Sequence, residues 1–436
     1  MKSLFKSYLS SILIGILGFF TSIILARYLT IEDRGSLGVL IIILSISTII
    51  STLSLDQSII IQSKKMIKKI FIGYLIKLYF LVFFLFVIIF TLSHYFLNIN
   101  VLSLNIFFIS LIYSFVNFFS VLLNSLILTI NINYWNFVRV STHIVNFIML
   151  TLTYYFFMIN SNIAYLIFIL SSVLVFFLIL IIIFKLRNHF EFNIFVNAKD
   201  KNKLTIFNDG FKIHFNNVVR ILIDRLDQLF LIAFFNKSIL AYYLIGISIP
   251  KSMIFIFQSV DNMLINKFKN LSVNNIKNII IISLFSVLGI FLIFIILFGN
   301  FSDLIIKFIY GEKYSFSSPV FLIFIFGAPF YLLRQISVSI MKSKKMFKII
   351  FYSEGVYIFL IILSLFISKF YNEWIYIAYG FNIALLITSI FNLLILFYIY
   401  KFKLSDFTTI KIKKIKKKKE KNKFKKTSFN NKEFRF

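Results

Sequence analysis

Long apolar runs alternate with short polar connections along almost the whole chain. A run of roughly 20 residues with few charges matches a helix that crosses a bilayer and satisfies its own backbone hydrogen bonds there. Such runs cover residues 7–26, 37–62, 70–93, 104–130, 138–159, 163–185, 211–235, 241–265, 277–298, 319–341, 348–369 and 375–400. The pattern predicts an all-α polytopic membrane protein with about twelve transmembrane helices. Lys2 and Lys6 precede the first run. No small-residue cleavage site follows it, so it is expected to be a permanent helix.

The connections test that count. With the N-terminus placed in the cytoplasm, the even-numbered connections carry Lys64, Lys65, Lys68 and Lys69; Arg139; Lys185, Arg187, Lys199, Lys201 and Lys203; Lys267, Lys269 and Lys277; and Lys342, Lys344, Lys345 and Lys348. The odd-numbered ones carry Arg27, Arg34, Lys237, Lys307, Lys313 and Lys369, largely offset by Glu32, Asp33, Asp303, Glu312 and Glu373. A positive-inside bias of this size puts both termini in the cytoplasm, and a missed helix would scramble it. The longest internal connection, 186–210, is basic and contains no span. It divides the chain into an N-terminal six-helix bundle (1–185), a cytoplasmic linker (186–210), a C-terminal six-helix bundle (211–400) and a disordered Lys-rich cytoplasmic tail (401–436). The halves are weakly alike: each has a short polar turn after its first helix and an acid, Asp56 or Asp261, late in its second. Internal repeats around a midplane site are a common way to build a transporter.

Composition changes the picture in three places. The net charge of +30 would suggest nucleic acid in a soluble chain. Here the charge sits in connections and the tail, so it carries topology and no nucleic acid is expected. Cysteine is absent, which excludes disulfides and thiolate metal sites. A bias toward Lys, Ile, Asn and Phe suggests a bacterium, and hence the bacterial cytoplasmic membrane. The tail lysines, Lys411 through Lys426, are suited to anionic lipid.

No catalytic constellation is visible. His94, His143, His189 and His214 are far apart, and no metal-spaced cluster or phosphate loop occurs. No cofactor and no metal site is expected. The chemistry lies in charges inside apolar spans. In the seventh span, Arg220, Asp224, Asp227 and Gln228 share about a 100° arc with Asn216 and Asn217, with His214 and Arg225 at its margin. Two compatible readings fit that face: Arg220 and Asp224 pair at i, i+4, or the face lines a polar cavity, since a charge turned to lipid near the bilayer centre costs several kcal/mol. Lys77, Arg139, His143, Lys251, Arg334 and Glu354 are further intramembrane candidates, and Lys77, Arg139 and Lys251 are also placed to snorkel. Together the buried basic groups suggest an anionic ligand, and Arg suits phosphate because it donates two parallel hydrogen bonds. Small residues at Ser7, Ser11, Gly15, Gly18 and Ser22 are expected to pack helices closely, with a cavity wall as the alternative.

Three segments carry a family resemblance. "ILARYLTIEDRGSLGVL" resembles the opening of polysaccharide (O-antigen or capsule) flippases. So do "RLDQLFLIAFFNKSILAYYLIGISIP" and "IKFIYGEKYSFSSPVFLIFIFGAPF", the last with Gly311, Glu312 and Tyr314. The resemblance spans nearly the whole chain and points to the wider flippase and multidrug-exporter superfamily more firmly than to one substrate. It implies two six-helix bundles around a central cavity. It also implies movement of an undecaprenyl-diphosphate-linked oligosaccharide between leaflets, for surface polysaccharide assembly. Arg220, Arg225 and Arg334 would make that cavity cationic. With Arg139, Lys77, Lys251, Asn217 and Gln228 they form the expected substrate set. Asp224, Asp227, Asp56, Asp261 and Glu354 are the carboxylates for coupling to a proton or sodium ion. The chain lacks the two further helices of the lipid II flippase branch, and its Lys-rich tail is unusual. A transporter, not an enzyme, is expected. The rivals are a cation-coupled drug or metabolite exporter of the same superfamily and a membrane glycosyl polymerase or ligase, which needs a larger external loop than 299–318.

Overall fold

The computed structural model describes residues 2–52, 69–71, 84, 88, 104–156, 160–187, 191–193, 224–269 and 271–402. The chain is built from α1 (Lys2–Tyr28), α2 (Ile31–Thr52), α3 (Leu104–Ile130), α4 (Ile132–Phe156), α5 (Ser161–Lys185), α6 (224–234), α7 (Lys237–Lys269), α8 (Val273–Phe298), α9 (Ser302–Tyr310), α10 (Ser318–Ser343), α11 (Phe347–Tyr371) and α12 (Ile375–Ile399). Six stretches among the described residues are long and apolar enough to cross a membrane: Lys6–Tyr28, Ser161–Lys185, Val273–Phe298, Glu312–Ser343, Phe347–Tyr371 and Ile375–Ile399.

Local chemistry sets the helix ends. Thr30 opens α2: its Oγ1 accepts from the Asp33 backbone N–H and donates to the Asp33 carboxylate. The Oδ1 atoms of Asn160 and Asn236 accept from Ile163 and Ile239, supplying N-caps to α5 and α7. Gly311, at φ 101°, ends α9, and Asn372 ends α11 in the left-handed conformation.

The distribution of polarity is inverted relative to a water-soluble bundle. Ile181, Ile296, Phe351, Phe366, Phe370 and Tyr398 stand exposed on the outer faces. The interior holds fully buried Ser339, Thr388, Ser389 and Asn392. The hydroxyls return a hydrogen bond to a carbonyl of their own helix, as Thr388 does to Ala384 and Ser339 to Gln335. An apolar coat over a polar interior is what lipid demands.

The helices form two lobes. In the first, α1 packs on α4, and α3 and α4 pack on α5. In the second, α10 is central, against α7, α8 and α12, with α11 on α12. The lobes meet where α1 and α2 pack against α7. That approach is close because Gly35 lies under the Lys237 backbone: a Cβ there would sit 2.0 Å from the Lys237 carbonyl oxygen. The architecture is thus the all-α polytopic one that the apolar pattern predicts.

Three features differ from expectation. The connection 299–318 is structured, with α9 followed by a 3-10 turn, Glu312–Ser317. Nine residues are too few to form a span, yet Ile306 and Tyr310 on one side of α9 are buried. A short parallel pairing joins β1 (Lys69–Phe71) to β2 (Glu191–Asn193), which puts the connections after the second and sixth apolar runs on the same side. The small-residue stripe of α1 divides. Ser7 of the stripe, with its neighbour Ser10, bonds Asn136 of α4, whereas Cβ atoms at Gly15 and Gly18 would meet nothing within 4 Å among the described residues. Among the described residues, therefore, nothing packs against the glycines, which agrees with the cavity-wall reading of that part of the stripe rather than with close packing.

Candidate functional site

Charged residues from four helices converge inside the second lobe. Asp224, Arg225, Asp227 and Gln228 come from α6, Tyr243 and Lys251 from α7, Arg334 from α10, and Glu354 and Tyr357 from α11. The residue spacing on α6 explains its share: i, i+3 and i+4 positions fall on one face, and that face turns inward. Asp227 is 4% exposed and Gln228 is fully buried. Asp227 accepts from the Tyr243 hydroxyl at 2.7 Å, and Gln228 Oε1 accepts from Arg225 at 2.7 Å. Asp224 and Lys251, by contrast, reach accessible surface. Lys251 lies within electrostatic range of Asp224, Arg225 and Asp227.

Arg334 and Glu354 form the second half of the cluster. They make a charge-assisted pair at 2.6 Å, and the guanidinium lies 4.3 Å from the centre of the Tyr357 ring. Tyr357 is also in electrostatic range of Asp224 and Asp227, which ties both halves together. Several buried polar atoms here have no hydrogen-bond partner among the described residues: Asp227 Oδ1, Gln228 Nε2, Arg334 Nε and Ser353 Oγ. Buried groups left so cost about 1–3 kcal/mol each, so the lobe interior holds capacity for polar contacts beyond those it makes.

The cluster therefore joins seven residues singled out from the sequence: Asp224, Arg225, Asp227, Gln228, Lys251, Arg334 and Glu354. It holds three acids and three bases, so among the described residues its charge is balanced, where the family resemblance implies a cationic cavity. Arg220, Asn217, Asp56 and Lys77 lie outside the described residues, as do His189, His214 and the tail beyond Phe402. Asp261 lies on α7, with its side chain outside the described part. Arg139 lies in the first lobe, over the Trp135 ring at 4.5 Å, with His143 one turn on. Nothing among the described residues joins it to the cluster. Among the described residues, no group of acids and histidines is arranged to hold a metal ion.

A second charged site lies at the contact between the lobes, built from residues that the sequence presents only as topology. Arg27, in the last turn of α1, donates to the carbonyls of Ile309 (2.9 Å) and Phe308 at the end of α9. Lys313, just beyond α9, donates to the carbonyls of Arg27 (3.1 Å) and Leu29 (2.6 Å) at the end of α1. Arg34 is buried beside them, in electrostatic range of Tyr310 and Tyr314. A cavity of about 650 Å³ opens at this rim, lined in part by Arg27, Tyr28, Lys307 and Lys313. The sequence signal for this site is position: its cations lie within two of the three segments that carry the family resemblance.

No protein-family model and no curated protein matches the sequence. Solved structures do match the fold. The lipid II flippase MurJ, in an inward closed conformation, superposes with a TM-score of 0.63 at 18% identity, over 92% of this chain and 88% of that one. An inward-facing multidrug resistance MATE family transporter of the MOP superfamily gives 0.57 at 13% identity, over 91% and 96%. A mutant of the Vibrio cholerae MATE transporter VcmN gives 0.55 at 14%, over 93% and 98%. The chain has the two-lobed helical fold of these transporters.

Proposed function

We propose that the protein is a flippase of the MOP superfamily, moving an undecaprenyl-diphosphate-linked oligosaccharide from the cytoplasmic to the outer leaflet by alternating access. The observation that carries this is the cluster of Arg225, Lys251 and Arg334 with three carboxylates inside an apolar-coated, two-lobed bundle. A lipid-linked diphosphate needs cations inside the membrane protein, and the fold's likeness to a lipid flippase supports that class of cargo. Arg334 now pairs with Glu354. In this account the diphosphate displaces Glu354 from Arg334, and the freed carboxylate takes up a proton or cation. Coupling and charge balance are thereby one event, with Asp224 and Asp227 next to it. Aromatic and hydroxyl side chains meet the sugars, and the prenyl tail stays in lipid while the head group crosses.

The positive-inside pattern orients the chain in a bacterial cytoplasmic membrane. The six-plus-six division, the cytoplasmic linker 186–210 and a tail held to anionic lipid complete this arrangement. The α1–α2 turn and α9 then lie on the outer side, so the lobes are in contact there and the state is inward-facing. A second reading, a cation-coupled exporter of drugs or metabolites, is favoured by one observation: the cluster has as many carboxylates as bases. Deleting the gene in its host separates the two. The flippase account expects lipid-linked oligosaccharide to accumulate on the cytoplasmic leaflet with loss of surface polysaccharide. Intact polysaccharide with altered drug or metabolite tolerance points to the exporter.

A further inference from the structure

The last carbonyls of a helix have no partner within the helix, and its C-terminus carries partial negative charge. Where α1 and α9 end, side by side across the lobe contact, each terminus is capped by a cation of the other lobe. Arg27 of the first lobe takes the Phe308 and Ile309 carbonyls of the second. Lys313 of the second lobe takes the Arg27 and Leu29 carbonyls of the first. Each lobe also makes its own share of the turn: the Gly311 N–H bonds the Lys307 carbonyl, and the Leu29 N–H bonds the Leu25 carbonyl. The carbonyls left over by these local bonds are the ones the cross-lobe cations take.

We propose that this reciprocal capping is a latch that holds the outer side shut, and that opening outward requires both cations to leave the opposing helix terminus together. That this side is the outer one and that it opens in transport rest on the orientation and alternating-access reading of the proposed function, but the chemistry of the latch is local. Four charge-assisted bonds cross one seam, and none of them joins two side chains. Every acceptor is backbone, so the latch is set by where the helices end and not by a pair of matched residues. Cations at helix C-termini are favoured at both ends of the exchange, which makes the closed arrangement self-complementary. Once the lobes part, both termini lose their caps at once, giving two discrete arrangements rather than a continuum.

Lobe separation, measured without any transport assay, tests this. The chain has no cysteine, so Phe156→Cys at the end of α4 and Glu373→Cys in the turn after α11, both at exposed positions, carry spin labels at known places. Double electron–electron resonance on the full-length protein in lipid nanodiscs reads the distance between them. Removing both cations, Arg27→Ala with Lys313→Ala, is expected to raise the long-distance population about tenfold or more, since hydrogen bonds to charged groups are the strong ones. Arg27→Lys with Lys313→Arg, which keeps a donor at each place, is expected to restore the original distribution. An unchanged distribution in the folded double-alanine protein overturns the latch. If that protein is not recovered folded, Arg27→Ala alone is read the same way, because it removes the caps of one terminus. Failure of the flippase reading leaves this distance measurement intact, and failure of the latch leaves the cargo assignment intact.

Discussion

The two charged regions are built on opposite principles. In the cluster, cations meet acids and a side-chain amide within one lobe: Arg334 with Glu354, Arg225 with Gln228, and Lys251 near Asp224 and Asp227. At the seam, Arg27 and Lys313 donate to backbone carbonyls, and they do so across lobes. A pair of side chains inside one lobe is open to exchange for a ligand without any movement of the lobes. A helix terminus capped from the other lobe is bound to lobe position. On the proposed function, the difference separates binding from gating, and each should be alterable alone.

The largest effect is expected from Arg225→Ala with Arg334→Ala. Transport should fall by at least about a hundredfold, as truncating a charge-assisted anion site costs several kcal/mol, while the spin-label distances across the seam stay as in the parent. Movement of the lobes in this variant breaks the separation. Next is Gly35→Ala. The added Cβ falls on the Lys237 carbonyl oxygen, so the seam is wedged and the long-distance population rises, with ligand affinity of the cluster retained. Distance measurement and binding by the same protein check the two halves of that statement.

Smaller effects sharpen the contrast. Tyr243→Phe removes the hydroxyl that, among the described residues, donates to buried Asp227. It should lower stability by about 1–3 kcal/mol, the cost of an unsatisfied buried acceptor, which thermal unfolding in detergent reads directly. Asp303→Ala is the mildest. The Asp303–Lys307 pair is i, i+4 and half-exposed on α9, so its loss should shift stability by no more than about 0.5 kcal/mol and leave the seam distance unchanged.

What is legible in the sequence follows from the same physics. The bilayer imposes long apolar runs, so most helix positions can be read, and α3 and α12 agree with their predicted ends to within a residue. The polar face of the seventh run is legible because a charge inside an apolar run is costly unless it turns toward protein or water. Its partners on α7, α10 and α11 are visible as isolated charges, but which of them meet is set by packing that no spacing along the chain encodes. Arg139 illustrates this: like Arg334 it is an arginine within an apolar run, yet it rests on Trp135 in the other lobe. The seam is illegible for a different reason. Its acceptors are backbone carbonyls, which every residue carries, so Arg27 and Lys313 look like ordinary charges in short connections. Helix α9 escapes notice because it is short and amphipathic, and spacing alone does not distinguish a packed glycine from one on a cavity wall, which leaves both readings open for Gly15 and Gly18.

The most direct test of the account is movement of a lipid-linked, diphosphate-bearing oligosaccharide across proteoliposomes that contain only this protein. The account predicts transfer between leaflets that depends on Arg225 and Arg334 and is read by lectin access to the sugar on the far side. An active preparation that exports a drug or metabolite against a cation gradient, and leaves the oligosaccharide where it was, contradicts it.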